Sequence, residues 1–332
     1  MTLMSRIAPQ LIALAALVAL VSVFYPGFLS VEVQNDRLVG PVIDILKRSA
    51  PVALLAVGMT LVIATRGIDL SVGTIMAICG AAAAWALTAG LGAGAALALA
   101  LGAGLMAGLW NGVLVAVVGI QPFVATLILM TMGRGVAQLI TEGRILTFTD
   151  PGFSWLGSGT ALGLPVPVWL WLATAAAAAL LMRRTALGLL VEAVGINRRA
   201  ALLAGVNATV LLIAVYVASG FCAALAGIIV TADIRGADAN NAGLWLELDA
   251  ILAVVIGGNS LLGGRFSIAA SVLGALIIQT ISAGILLAGF ASEYNLIIKA
   301  GLVLVILILQ SPRIASEWRL WRDSHRAQGD RA

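Results

Sequence analysis

The sequence predicts an all-α polytopic membrane protein with about ten transmembrane helices, some of them short or broken. Three observations predict it. Hydrophobic residues make up 61% of the 332 positions, charged residues only 10%, and the mean hydropathy is +1.09. A water-soluble domain carries roughly 25% charged residues, so most of this surface must face lipid.

A spanning helix needs about 20 mostly apolar residues. Such runs fall at 7–28, 50–65, 69–89, 91–118, 121–140, 165–182, 208–232, 250–263, 266–288 and 294–311. The first follows Arg6 and has no small-residue cleavage site behind it, so it reads as a retained helix and not a signal peptide. The runs 50–65 and 250–263 are short. Each ends in a glycine-rich turn, Thr65-Arg66-Gly67 in one case and Gly257-Gly258 followed by Gly263-Gly264 in the other. They read as broken or partly re-entrant, which a membrane tolerates only under cover of protein or a water-filled cavity. The order apolar run, glycine-rich turn, apolar run occurs at 52–80 and again at 250–276, an echo of the kind left by repeated transporter halves. Gly104, Gly108 and Gly112 share one face of the fourth run, a spacing that lets helix backbones approach closely, within the subunit or across a dimer.

The charges set the topology. With the N-terminus inside, twelve of the 19 basic residues fall on inner segments: Arg6, Arg66, Arg183, Arg184, Arg198, Arg199, Arg265, Arg313, Arg319, Arg322, Arg326 and Arg331. Arg37, Lys47, Arg48, Arg144 and Arg235 fall outside, and Arg134 and Lys299 lie within spans. This bias predicts both termini in the cytoplasm, a transmembrane domain at 1–312 and a basic cytoplasmic tail at 313–332. No basic stripe interleaves with exposed aromatics, so the net charge of +4 does not indicate a nucleic-acid partner. Trp169, Trp171 and Trp245 suit interfacial belts.

Catalytic and cofactor chemistry finds no support. Cys79 and Cys222 are far apart in apolar runs and read as small buried hydrophobes, and the single histidine, His325, lies in the tail. There is no metal spacing and no catalytic cluster; the acidic group at 233–249 reads as a loop. No G-x-x-x-x-G-K-[ST] run exists, so ATP, if used, is handled by a separate chain. That chain must press on a cytoplasmic feature, and the longest polar interruption on the inner side is 183–207. Its residues 188–204 have helical composition, with Gly195 and Gly205 placed to end short turns. It reads as a short amphipathic docking helix or as an ordinary basic connector. Among the intramembrane charges, Asp69 is placed to cap a helix beginning near Ser71. Arg134 calls for a structural partner or lines a cavity, and Lys299 is expected to snorkel to the outer interface.

Four blocks carry a resemblance. Glu192-Ala193-Val194-Gly195-Ile196-Asn197, followed by Ala200-Ala201 and Ala204-Gly205-Val206, resembles the coupling loop of ribose-type ABC sugar permeases. Gly67-Ile68-Asp69-Leu70-Ser71-Val72-Gly73 resembles the GIDLSVG segment of that family. Pro122 to Leu127 with Arg134-Gly135, and Leu248 to Gly258 with Gly263-Gly264-Arg265, resemble two further blocks. The sequence departs from the usual pattern at Arg66 and Phe266, where glycine is common. The stretch 233–247 is similar to the galactofuranose permeases; ribose, xylose, rhamnose and autoinducer-2 permeases share the broader motifs.

The resemblance implies an importer subunit that is not itself an enzyme and has no cofactor. Its implied partners are an ABC ATP-binding subunit, a periplasmic sugar-binding protein, a second permease subunit (paralogue or copy) and membrane lipids. It places ATPase coupling on Glu192, Ala193, Gly195, Asn197, Ala200, Ala201 and Gly205. A neutral sugar needs hydrogen-bonding side chains and aromatic faces along its way. Asp69, Trp110, Asn111, Gln121, Arg134 and Gln279 are the candidates for the translocation path. An ion-coupled secondary transporter is the rival class; it needs intramembrane carboxylates, and only Asp69 lies near a span.

Overall fold

The computed structural model describes residues 3–34, 37–289 and 292–310; the basic tail expected at 313–332 lies outside them. The chain runs through α1 (Leu3–Phe24), α2 (Pro41–Arg48), α3 (Ala50–Ala64), α4 (Val72–Thr88), α5 (Gly92–Val113) and α6 (Pro122–Thr141). It continues through α7 (Pro151–Ser158), α8 (Val166–Arg184), α9 (Leu187–Ile196), α10 (Arg198–Leu203) and α11 (Ala208–Ile234), and ends with α12 (Leu246–Ile256), α13 (Ile268–Leu287) and α14 (Ser292–Gln310). The fold is an all-α membrane protein, and each expected apolar run holds a helix. Among the described residues six helices are long and apolar enough to cross a membrane, or seven if α2 and α3, which meet at 41°, form one broken span.

Local chemistry sets several boundaries. Proline, whose missing N–H costs nothing in a first turn, opens α2, α6 and α7. Asp150 accepts from Phe153 N at 2.7 Å to cap α7, and Asn207 accepts from Val210 N at 3.1 Å to cap α11. The helices α2 and α7 lie outside the apolar runs, because eight residues apiece are too few to raise a hydropathy signal. α5 runs on through a π-helical turn at Leu114–Val118.

By internal contact the chain divides into two units, Met1–Thr280 and Ile281–Ala332. In the first, α11 is the central post and packs against α3, α4, α5 and α7. The Gly104, Gly108 and Gly112 face settles there: α5 lies backbone to backbone on α11. A Cβ at Gly108 would stand 2.4 Å from Tyr216 O, and one at Gly220 would stand 2.2 Å from Gly104 O. Of the two readings of that face, packing within the subunit is the one observed.

Two spans differ from expectation at their ends. The run 250–263 is helical only from Leu246 to Ile256, 11 residues, or about 16 Å of rise, roughly half the thickness of a bilayer core. Its N-terminus starts beside the first turn of α4, where Gly73 and Gly243 touch through their backbones and the buried Glu247 carboxylate lies alongside. The non-helical stretch before it passes along α4. Gly236–Ala237 pairs antiparallel with Leu146–Thr147, and Ala239 packs among Ala77, Ile78, Ala81 and Ala137. The run is therefore a short helix followed by a glycine-rich turn, not a full-length span. The run 69–89 becomes helical only at Val72, and residues 65–71 form a second non-helical stretch.

Two tests of side-chain placement fail. Trp171 is buried, its Nε1 donating to Leu46 O at 3.2 Å, so it is not part of an interfacial belt. In the second unit, Lys299 is only 8% exposed and does not snorkel. Leu296, Ile297, Leu304, Val305 and Ile308 occupy the exposed face of α14, which leaves the lysine on the opposite one.

The α5–α11 contact predicts a sharp contrast between two glycines. Gly108→Leu should destabilise the protein by about 1–3 kcal/mol or more through overpacking, seen as a lower thermal unfolding midpoint in detergent. Gly102→Leu, with nothing within 4 Å of its Cβ position, should leave that midpoint unchanged.

Candidate functional site at two glycine-rich turns

The segment 183–207 folds as two short helices rather than one. Asn197 ends α9 and caps α10, its Oδ1 accepting from Ala200 N at 3.1 Å. Gly205, at φ +85°, closes the segment as its composition suggests. Gly195 ends nothing: it lies inside α9, buried, where an added Cβ would stand 1.9 Å from Ala64 O. Gly188, Val191, Val194 and Ala201 face the protein, while Leu189, Ile196, Leu202 and Leu203 face away from it. Leu203 is 92% exposed. Glu192 and Ala193 are half-buried, and Glu192 lines a cleft of about 410 Å³ with Arg183, Thr185 and Ser267.

Beneath α9 the two glycine-rich turns meet. Gly264 N donates to Ala64 O at 2.9 Å, joining the end of α3 to the turn after α12. Thr60 Oγ1 donates to Ser271 Oγ at 2.7 Å, and Asn259 accepts from Ser267 N at 2.7 Å while donating to Ser271 Oγ at 2.8 Å, which shapes the 257–267 turn. Gln10 of α1 donates to Gly257 O at 2.9 Å. The echo at 52–80 and 250–276 thus corresponds to two helix–turn–helix pairs whose turns touch.

The non-helical stretch 65–71 is anchored by side chains from three helices. Asp69 Oδ1 accepts from Ser71 N at 3.0 Å and Ser71 Oγ at 2.6 Å, and Oδ2 accepts from Ser219 Oγ on α11 at 2.9 Å. Asn111 on α5 donates to Ser71 Oγ at 2.8 Å. Thr126 on α6 donates to Ile68 O and accepts from Leu70 N, both at 3.2 Å. Ser71 occupies the N-cap position of α4 without a side-chain cap bond of its own, and the Asp69 carboxylate accepts from the Ser71 N–H at this helix start, as its place in the sequence suggests. Asn111 Oδ1 and Tyr216 Oη are buried there without a hydrogen-bond partner.

The second non-helical stretch is held by α6. Arg134 Nη1 donates to Ala239 O at 2.9 Å and Ala242 O at 2.7 Å, and Gln138 donates to Asn240 Oδ1 at 2.8 Å. A guanidinium inside a span is thus spent on carbonyls that no helix satisfies. At the water-facing mouth of the stretch, Asp238 accepts from Asn241 Nδ2 at 2.8 Å and from the N–H groups of Asn240 and Asn241. The Asn241 side chain foremost, then those amides and the Arg134 charge, hold its carboxyl below the usual carboxylate range against a smaller opposing effect of burial.

Of the path candidates, the structure brings Asp69 and Asn111 together in one sealed network. Arg134 is tied to the 239–242 backbone. Trp110 and Gln121 are exposed on α5 and at the start of α6, and Gln279 lines a separate cleft of about 370 Å³ with Lys47 and Asp233, themselves paired at 2.7 Å. Sequence reasoning missed Ser71, Thr126 and Ser219, whose hydroxyls look like any others in an apolar run. It also missed the outward Leu189, Leu202 and Leu203, because apolar residues surround α9 on all sides.

The family follows from residues 42–307, which match the model described as branched-chain amino acid transport system / permease component. The chain belongs to this permease family. As a permease component it is a multi-pass membrane protein of a transport system. It is 61% identical to the galactofuranose transporter permease protein YtfT of Escherichia coli over 93% of this chain and 90% of that one. It is 41% identical to the fructose import permease protein FruF of Bifidobacterium longum over 94% of this chain and 89% of that one. It is 40% identical to the ribose import permease protein RbsC of Escherichia coli over 92% of this chain and 93% of that one. No solved structure matches the permease.

Two predictions follow from the anchored stretches. Asp69→Ala leaves two buried hydroxyls and a backbone amide without an acceptor and should cost about 1–3 kcal/mol or more, measured by thermal unfolding in detergent. Asp238 has a lowered folded-state pKa, so its contribution is present above its unfolded pKa of about 3.9 and is lost as pH falls through the folded value. The stability gap between the wild type and Asp238→Ala should therefore hold at neutral pH and close under acid.

Proposed function

We propose that this permease carries a monosaccharide, galactofuranose, into the cell as a membrane-spanning subunit of an ATP-driven, binding-protein-dependent importer. The observation that carries the reading is the 61% identity to a galactofuranose permease across 93% of the chain. The fructose and ribose permeases, at 41% and 40%, support the sugar class as a whole.

In this reading residues 1–312 are the transmembrane domain, and both termini and the 313–332 tail are cytoplasmic. The segment 183–207 receives a separate ATP-binding subunit. The outward Leu189, Ile196, Leu202 and Leu203 support that role, since a solvent-facing apolar patch at a loop marks a protein contact. Glu192, Ala193, Asn197 and Ala200 lie at its rim; Gly195, Ala201 and Gly205 shape its backbone. A periplasmic receptor delivers the sugar to the opposite end, and a second permease subunit, paralogue or copy, completes the assembly. Trp110 and Gln121, exposed in the single chain, are placed to meet sugar or that second subunit. Asp69, Asn111 and Arg134 support the path from behind by holding its non-helical segments. Gln279 offers an amide in a cleft of its own.

The test is uptake into proteoliposomes holding this chain, the second permease and the ATP-binding subunit, with the binding protein outside. Galactofuranose uptake that needs both ATP and the binding protein is the expected result. Preference for ribose overturns the assigned sugar, and uptake driven by an ion gradient without ATP overturns the class. In the same assay Gly195→Ala should uncouple the permease: the added methyl meets Ala64 O, α9 lifts, and uptake per ATP falls about tenfold, the scale of a 1.4 kcal/mol coupling loss. Leu203→Asp should weaken copurification of the ATP-binding subunit while the permease stays inserted.

A further inference from the structure

We infer that Arg66 is the positioning residue that locks α9 to both glycine-rich turns, so that one displacement of α9 moves the ends of α3 and α12 together. The inference rests on the reading of 183–207 as the contact for the ATP-binding subunit.

The backbone comes first. Arg66 sits at φ +65°, in the left-handed region. An L-residue with a side chain is strained there, where glycine is not. The side chain has an offsetting use. Arg66 Nε donates to Leu262 O at 2.8 Å, in the turn after α12, and Nη2 donates to Ile196 O at 2.8 Å. Ile196 is the last residue of α9, so its carbonyl has no acceptor role left within the helix and carries the negative end of the helix dipole. A planar guanidinium meets both carbonyls at once, which a single ammonium does not.

The surroundings leave little slack. Gly264 N bonds Ala64 O, the carbonyl that also abuts Gly195, and Gly263 lies against the Arg66 Cγ. The end of α3, the turn after α12 and the end of α9 therefore form one junction, and Arg66 bonds to both segments foreign to its own. The fork itself is solvent-exposed. Water competes for its bonds, so the fork is a link of modest strength that adds to the backbone contacts around it. Among the described residues no carboxylate pairs with the fork, so Arg66 stays on backbone carbonyls, whose positions report helix movement directly.

The deciding variant is Arg66→Gly in the complete importer, because glycine is at ease at φ +65° and the backbone bonds remain. We expect an unfolding midpoint equal to or above that of the wild type. Sugar moved per ATP should fall by roughly fivefold, the scale of one modest net hydrogen bond, and a spin label at Leu189 on α9 should become more mobile. Arg66→Lys should fall between the two in both readouts. Wild-type coupling in Arg66→Gly, an unchanged label, or a large drop in its midpoint would each overturn the inference. Label mobility is read without transport, so a wild type that fails to take up sugar with ATP defeats the functional reading alone.

Discussion

A backbone amide or carbonyl that leaves its helix inside a bilayer has no water to bond, and each one left unsatisfied costs several kcal/mol. Two stretches of this chain, 65–71 and the approach to α12, leave helical geometry while packed among apolar helices, and much of the polar chemistry in the interior answers to them. Asp69, Ser71, Asn111, Thr126 and Ser219 serve the first. Arg134 serves the second with two bonds to carbonyls. Asp69 and Arg134 thus serve first to satisfy non-helical backbone and the hydroxyls beside it.

Close backbone packing makes that arrangement rigid. α5 and α11 touch through Gly104, Gly108 and Gly220, and α4 meets the start of α12 through Gly73 and Gly243. Near its other end α3 joins the turn after α12 through Gly264 and Ala64. Close-packed contacts of this kind are poor at absorbing displacement gradually. A push on α9 reaches both helix–turn–helix pairs through Gly195 and Arg66, and the half-length α12 begins where α4 begins. Such a layout links the face that carries the outward leucines to the centre of the fold in few steps.

How much of this was legible in the sequence differs by element. The helices were, since runs of twenty apolar residues have one solution in lipid. The breaks at 65–67 and 257–264 were visible as glycine clusters, and the segment 183–207 as an unusually long polar interruption. The roles of individual residues were not. Asp69 reads as a cap from its distance to Ser71, yet its second oxygen reaches Ser219, 150 residues away. Gly195 reads as a helix end, yet a carbonyl from α3 requires the glycine there. Lys299 reads as a snorkelling residue from its depth, yet it lies on the face of α14 opposite the exposed apolar residues and is buried.

Composition, hydropathy and charge placement by themselves determined that this chain is a helical membrane protein with its polar interruptions in a defined order along the chain. Those are properties of local composition against lipid, and no long-range contact is needed to decide them. Tertiary structure alone decided that the two glycine-rich turns touch, that α9 rests on both, and that Arg66 and Arg134 spend their donors on distant carbonyls. The reason is that hydrogen bonds between residues 100 or more positions apart depend on which helix faces meet, and packing of backbones at glycine contacts sets those faces.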